Sequence, residues 1–348
     1  MKSDYFSVQL LNWYDQHGRK DLPWQQSPTA YHVWLSEIML QQTQVSTVIG
    51  YYQRFIDRFP DVISLANANS DDVLALWAGL GYYARARNLH TSAKIIVDVH
   101  NGKMPTSPDQ LIALPGIGRS TTGAIMALAF HQRYAILDGN VKRVLARYFA
   151  VEGWPGNKAV ETTLWQFAEG LLPDKRIANY IQAQMDLGAT LCTRTKPRCS
   201  DCPLKQNCLG FIQGNPETYP FAKPKKIIPI RKSNWIIAQN PAGEILLEQR
   251  QASGIWGGLW TFPEFEMTEN IEVSCQNKLN ISIKSISTEK QIRHIFSHFK
   301  LDIHPYFVVC DPSSNQIAEN KNLTWYRINQ ALELGLPAPV KSLLITLQ

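Results

Sequence analysis

At 348 residues the chain is long enough for two domains that each bury a core, which excludes a small disulfide-stapled module. Hydrophobic residues make up 45% and charged residues 18%, ordinary globular usage, and no apolar run reaches the length of a membrane span. The N-terminal MKSDYFSVQL carries an acid at Asp4 and lacks the apolar stretch of a signal peptide, which points to the cytoplasm, while a net charge of +6 leans mildly toward polyanions.

Up to about residue 212 the apolar residues recur at helical spacing, as in Val33, Trp34, Ile38, Val45, Val48, Ile49, Tyr52, Phe55, Ile56 and Phe59, so this half is expected to be all-α. Ser27-Pro28 and Ser107-Pro108-Asp109-Gln110 read as N-caps followed by proline at the first helical position, the second with a capping-box glutamine. Glu37 falls in WLSEIMLQQTQV, with Gln41 four residues on over the same helical face; by itself a carboxylate at the edge of an apolar stripe is a solvated one. At Leu114-Pro115-Gly116-Ile117-Gly118 a glycine turn leads into a second helix from Arg119 to about Phe130. Free N–H groups at such a helix start favour an anion. The segment reads either as an ordinary inter-helix turn or as a helix-hairpin-helix that holds a DNA backbone. Asp138, in Leu137-Asp138-Gly139-Asn140 before the pattern Val141, Val144, Leu145, Tyr148, is by itself an N-cap or a turn residue.

Four of the six cysteines, Cys192, Cys199, Cys202 and Cys208, run C-x6-C-x2-C-x5-C. In a reducing compartment this suggests metal ligation before disulfides. The spacing favours an iron-sulfur cluster over structural zinc, which more often uses two separated pairs. Arg194, Lys196 and Arg198 lie between the first two cysteines, in a loop tethered at both ends that suits phosphate contact. Residues 213–229, with Pro216, Pro220, Pro224 and Pro229, form the expected linker. They separate a helical domain over 1–212 from an α+β domain over 230–348. There SNWIIAQ, a turn at Asn240-Pro241-Ala242-Gly243, EILLEQR and HIFSHFKLDIHPYFVV have strand texture.

The hairpin, an aspartate about twenty residues after it and the four cysteines together resemble the endonuclease III superfamily of DNA glycosylases. LPWQ, VWLSEIMLQQTQV, GLGYYARARNLH and LDGNVKRVLAR look like MutY-type adenine DNA glycosylases, over nearly the whole chain. That resemblance implies a base-excision repair enzyme that flips out adenine mispaired with 8-oxoguanine or guanine and hydrolyses its glycosidic bond. It also implies one [4Fe-4S] cluster, double-stranded DNA and downstream repair proteins as partners, no membrane, and a monomer. Glu37 would protonate adenine at N7 and manage the attacking water. Asp138 would stay ionised beside the sugar, as nucleophile or counter-charge, with Asn140 orienting the acid and the water. Trp24 and Gln182 match adenine-pocket positions, and Gln42, Thr43, Leu80 and Tyr82 match residues that wedge the base stack. Gly116, Gly118 and Ser120 belong to the hairpin. Bifunctional relatives carry a lysine nucleophile where this chain has Ser120, so no Schiff base is expected and the enzyme should be monofunctional.

The C-terminal half resembles the Nudix-like domain of the same family. Gly258 and Glu264 fit the start of the Nudix box, but Glu272-Val273 replaces its Arg-Glu and no acid pair follows, so nucleotide hydrolysis is not expected. Phe296, Ser297 and His298 match the element that senses 8-oxoguanine, with Ser297 as its hydrogen-bonding member. Three rivals stand beside this reading: a lyase acting on oxidised pyrimidines, a non-catalytic iron-sulfur DNA-binding module, and a nucleotide-hydrolysing Nudix enzyme.

Overall fold

The computed structural model describes residues 2–26, 28–224, 227–311 and 322–348. By its internal contacts the chain divides into two compact units, one of Met1–Asn67 and Asn88–Lys225, the other of Ala68–Arg87 and Lys226–Gln348. The second takes in a stretch from the first half of the chain, which a single cut at the linker does not describe. No helix among the described residues is long and apolar enough to cross a membrane.

The helices before the linker are α1 (Lys2–His17), α2 (Ala30–Leu40), α3 (Val45–Arg58), α4 (Val62–Ala66), α5 (Ser70–Trp77), α6 (Ala84–His100), α7 (Pro108–Ile112), α8 (Arg119–Leu128), α9 (Gly139–Tyr148), α10 (Lys158–Gly170), α11 (Ile177–Thr190) and α12 (Leu209–Ile212), and the described residues of the first unit contain no strand. Ser27 lies outside the described residues. α2 is capped by Thr29, whose side chain accepts the His32 N–H, so Pro28 precedes the cap instead of opening the helix. α7 does open at Pro108 after Ser107, but the Ser107 side chain makes no capping bond, and the expected box with Gln110 does not form. α2 ends at Leu40, and Gln42 takes a left-handed φ of 57°. Gln41 is the C-cap of α2, and it lines one pocket with Glu37. In α3, Val48, Tyr52 and Phe55 are buried as their spacing predicts, whereas Ile49 turns outward.

Val141, Val144, Leu145 and Tyr148 recur every three or four residues and form the buried stripe of α9. It packs with Phe6 and Leu10 of α1 and Tyr180, Ile181 and Leu187 of α11, and the Phe6 ring meets Tyr148 edge-on at 4.9 Å. Each such side chain taken from water contributes about 2 kcal/mol. Gly188 of α11 lies where a Cβ would come within 2.6 Å of the Asn140 Cβ, so only glycine lets α11 approach the first turn of α9 this closely. This contact brings the Asp138 end of α9 against α11.

The second unit is built on a mixed sheet that among the described residues has eight strands: β1 (Ile230–Gln239), β2 (Ile245–Gln249), β3 (Trp260–Thr261), β4 (Glu264–Phe265), β5 (Ile283–Thr288), β6 (Ile292–Ile295), β7 (Lys300–Cys310) and β8 (Leu323–Tyr326). The main path runs β3-β2-β1-β7-β5, with β1 and β7 parallel in register Ile230↔Lys300 through Gln239↔Val309. α13 (Ile271–Leu279), α14 (Ile328–Ala331) and α15 (Ala338–Thr346) complete the α+β architecture. The expected turn joins β1 to β2, closed by the Gly243 N–H donating to the Asn240 carbonyl at 2.9 Å. The run HIFSHFKLDIHPYFVV is not one strand but two, β6 and β7, broken by a tight turn in which Phe296 donates its N–H to the Phe299 carbonyl. Residues 68–87 are tied to this unit by Gln249 Nε2 donating to Asp71 Oδ1 at 2.9 Å and by Arg87 Nη1 donating to the Gly257 carbonyl at 2.6 Å.

Candidate active site

The first unit contains a pocket of about 1130 Å³ whose wall includes Glu37 of α2, Ser120 at the start of α8, Asp138 and Asn140 at the start of α9, and Gln182 of α11. The fold thus places the two acids, a hundred positions apart in sequence, on one concave surface. Asp138 is the N-cap of α9 and accepts the Val141 N–H at 2.7 Å. That is its structural role, and the same residue also lines the pocket.

The electrostatic settings of the two acids differ. Burial pushes the Glu37 carboxyl up to about 8, and the negative charge of Asp138 pushes in the same direction. Asp138 is also pushed up by burial, but the Val141 N–H, the Asn140 amide at 3.2 Å and the Arg143 charge all favour its ionised form. One acid is set to hold a proton near neutral pH, while the other has donors assembled around its anion.

Trp24 and Gln182 also line this pocket. Trp24 is buried edge-on against Tyr52 at 5.4 Å, and Gln182 is 7% exposed. Gln42 and Thr43 follow α2 on the pocket wall, Gln42 in its left-handed conformation. Ser120 Oγ accepts the Leu137 N–H at 3.0 Å, which ties the hairpin's second helix to the residue before Asp138. Gly116 has φ 82°, and a Cβ there would meet the Asn88 Cβ at 2.9 Å; Gly118 caps α8 with open space around it. Neither glycine lines the pocket. Leu80 and Tyr82 belong to the second unit: Leu80 is buried, and Tyr82 is 48% exposed, at φ 49°, with the Arg85 guanidinium 5.6 Å from its ring.

Cys192, Cys199, Cys202 and Cys208 are all free thiols on the wall of one small cavity otherwise lined by apolar, arginine, lysine and tyrosine side chains. Among the described residues no three His, Cys, Asp or Glu side chains are arranged around a single metal ion. Arg147, 2% exposed, donates to Cys192 Sγ at 3.3 Å and to the carbonyls of Thr193, Arg194 and Tyr219. One turn earlier on α9, Arg143 donates to Asn140 Oδ1 at 2.8 Å, to the Gly188 carbonyl at 2.6 Å and to the Cys192 carbonyl at 2.7 Å. Two arginines at i and i+4 therefore join the first turn of α9 to the cysteine loop. Arg194, Lys196 and Arg198 are exposed on that loop; Lys196 has φ 50° and donates its N–H to Glu217, Arg198 donates to the Thr190 carbonyl at 3.1 Å, and Arg194 also borders the large pocket.

Several residues of this site carried no signal of their own in the sequence. Half-buried Arg19 and fully buried Asp186 form an ion pair at 2.7 Å beside Gln182. His131, on the pocket wall, has φ 54°. The i,i+4 spacing of Arg143 and Arg147, and of Gln182 and Asp186, marks each pair as sharing a helical face but does not show what that face meets.

In the second unit Ser297 and His298 are exposed at the turn between β6 and β7, with Ser297 Oγ 3.4 Å from His298 Nδ1. Phe296 stacks on Phe299 at 4.4 Å and approaches Trp256 at 5.1 Å, which fixes the base of the turn. Glu264 is taken up by an ion pair with Arg250, and Glu272 is exposed in the first turn of α13.

Comparison with known proteins adds independent findings. The family description "HhH-GPD superfamily base excision DNA repair protein" matches residues 35–169, and "NUDIX domain" matches residues 234–346. The chain is 42% identical over 339 residues to an adenine DNA glycosylase of Buchnera aphidicola subsp. Acyrthosiphon pisum, covering 97% of this chain and 96% of that protein. It is 34% identical to the adenine DNA glycosylase of Mus musculus, covering 92% of this chain and 74% of that one. A solved thermostable thymine-DNA glycosylase superposes with a TM-score of 0.55 at 26% identity, over 61% of this chain and 97% of that one. An endonuclease III in complex with DNA, at 18% identity and TM-score 0.53, shares the fold over 61% of this chain and 96% of that one.

Proposed function

The chain belongs to the adenine DNA glycosylase family, and we propose that it is a monofunctional enzyme that excises adenine mispaired with 8-oxoguanine or guanine in duplex DNA, leaving an abasic site. The observation that carries this reading is the pair Glu37 and Asp138 on one pocket wall, with the Glu37 carboxyl pushed up to about 8 and the Asp138 carboxyl, though also raised by burial, met by the Val141 N–H, Asn140 and Arg143, which favour its anion. Adenine leaves poorly as an anion. Protonated Glu37 donates to N7, so the departing base is neutral. The C1′ carbon then gathers positive charge, which the Asp138 carboxylate offsets, either electrostatically or by trapping the sugar. Asn140 Nδ2 orients that carboxylate, and Glu37, now ionised, takes a proton from the water that completes hydrolysis. Ser120 offers no amine for a Schiff base, in keeping with release of the base without a strand cut.

The flipped adenine enters between Trp24 and Gln182, and Gln42, Thr43, Leu80 and Tyr82 fill or prop the stack it vacates. The exposed turn of Phe296, Ser297 and His298 reads the opposite 8-oxoguanine, Ser297 by hydrogen bond. The backbone amides at the Gly116–Gly118 hairpin and the basic loop of Arg194, Lys196 and Arg198 hold phosphates. The four thiols fit one [4Fe-4S] cluster: their donor set is all sulfur, and Arg147 lies against Cys192 where an anionic cluster needs a cation. Cys192, Cys199, Cys202 and Cys208 would hold it, and its contribution is to order the basic loop. Ion-paired Glu264 and solitary Glu272 support a recognition role for the second unit, not nucleotide hydrolysis.

The test is a duplex with one adenine opposite 8-oxoguanine, assayed for free adenine and for strand breaks before and after alkali. Adenine release with breaks mainly after alkali is expected. Breaks without alkali would return the lyase reading, and binding without base release would return the non-catalytic module. Release of pyrophosphate from 8-oxo-dGTP would overturn the account of the second unit.

A further inference from the structure

We infer that Asp186 sets the preference of the pocket for a 6-amino purine by fixing which end of the Gln182 amide faces the base. The inference rests on the adenine glycosylase reading above.

Asp186 is fully buried in α11, one turn after Gln182. Its Oδ2 accepts the Arg19 backbone N–H at 2.8 Å, and its Oδ1 accepts Arg19 Nε at 2.9 Å, Arg19 Nη2 at 2.7 Å and Gln182 Nε2 at 2.9 Å. A carboxylate ion-paired to a guanidinium has no proton to give, so it can receive only the NH2 end of the neighbouring amide. Turning that amide over would set Gln182 Oε1 against Asp186 Oδ1, two acceptors in a buried place with no donor between them. Gln182 Oε1 is thereby left as the end offered to the pocket, whose wall Gln182 shares with Glu37. Asp186 itself does not line the pocket, so it acts through Gln182 as a positioning residue.

The chemistry of the base completes the argument. Along one edge adenine presents N7, an acceptor, beside its 6-amino group, a donor. A protonated Glu37 and an acceptor at Gln182 Oε1 are the matching donor and acceptor. Hypoxanthine and guanine keep N7 but carry a carbonyl at C6, which would meet Gln182 Oε1 acceptor to acceptor. N7 protonation alone does not separate these purines; the carbonyl end of one amide does, provided something holds that end in place.

The experiment compares full-length wild type, Asp186→Asn, Gln182→Glu and the double variant. The readout is the single-turnover rate of base release from duplexes carrying adenine or hypoxanthine opposite 8-oxoguanine. The intrinsic reactivity of each base cancels when the adenine-to-hypoxanthine ratio is compared between proteins. Wild type should favour adenine. Asp186→Asn, whose amide can accept as well as donate, frees Gln182 to turn, and the ratio should fall by about tenfold or more. Gln182→Glu sets carboxylate against carboxylate and should lose both activities. In the double variant the amide introduced at position 186 can donate to the carboxylate introduced at position 182, which still turns an acceptor toward the pocket, so the ratio should recover.

A ratio unchanged in Asp186→Asn while both rates fall together would reduce Asp186 to a structural residue and overturn the inference. So would a double variant that melts like wild type without recovering the ratio. The wild-type comparison requires no variant to fold: with each rate divided by the spontaneous release of that base from the same duplex, hypoxanthine released as fast as adenine would overturn the inference while leaving the glycosylase reading intact. Release of neither base from any mispair would instead remove that reading, and this inference with it.

Discussion

The carboxyls of Glu37 and Asp138 line one pocket, and after burial itself it is the charge of Asp138 that holds the Glu37 proton in place, up to about 8. A catalytic acid is useful only while protonated, so the rate of adenine release should be flat near neutrality and fall about tenfold per pH unit above about 8. A single-turnover pH profile checks this. A decline centred near the ordinary glutamate value of 4.5 would mean that the pocket does not raise the Glu37 carboxyl.

The same shift has a stability consequence of definite sign. Between 4.5 and about 8 the folded protein keeps a proton that the unfolded chain gives up, so Glu37 makes stability fall as pH rises through that window. Glu37→Gln removes the titration while keeping the shape. It should therefore gain stability over wild type, little at pH 5 and up to about 3 kcal/mol at pH 7, while losing base release. Thermal midpoints of both proteins across this pH range give the answer; a gain that shrinks with rising pH would contradict the sign.

Asp138→Asn separates the two tasks of that side chain. Asparagine caps a helix about as well as aspartate, so the Val141 N–H keeps an acceptor, and because burial raises the Asp138 carboxyl, removing its charge should cost no stability near neutral pH. The charge proposed to face the sugar is gone, and release should fall by about a hundredfold or more with DNA binding retained. Near-normal release from a folded variant would leave Asp138 with its cap alone.

Gly188→Ala tests the helix contact beneath the site. The added Cβ would come within 2.6 Å of the Asn140 Cβ and 3.1 Å of its Cα, so α9 and α11 must separate, at about 1–3 kcal/mol. Asn140 and the Arg143 bond to the Gly188 carbonyl move with them, and release should slow. Gly170→Ala, where an added Cβ meets nothing within 4 Å, is the control and should be neutral or slightly stabilising. Melting curves and release rates of the two variants, measured side by side, decide it.

Much of the site was readable in the sequence because its signals are local. Four cysteines within 17 positions, a glycine turn before a helix, and an aspartate at a helix start each declare themselves in a few residues. Their roles came from resemblance, since alone Asp138 reads as a cap and Glu37 as a solvated acid. A misread detail was also local: Pro28 gives way to Thr29 as the start of α2. Chain termination at a helix end depends on what the next residues pack against, which periodicity does not record.

The sequence by itself determined the two-part composition, the helical and α+β textures and the thiol set, all properties of residue type and short spacing. Only the tertiary structure decided that Glu37 is enclosed and Asp138 supported by donors, because a pKa follows from what surrounds a carboxyl, not from its neighbours in sequence. It alone joined Arg19 to Asp186 across 167 positions, ran Arg143 from Asn140 to the cysteine loop, and grouped residues 68–87 with the second unit. Such contacts are set by how whole helices pack, and a single small residue such as Gly188 can decide how closely they do so.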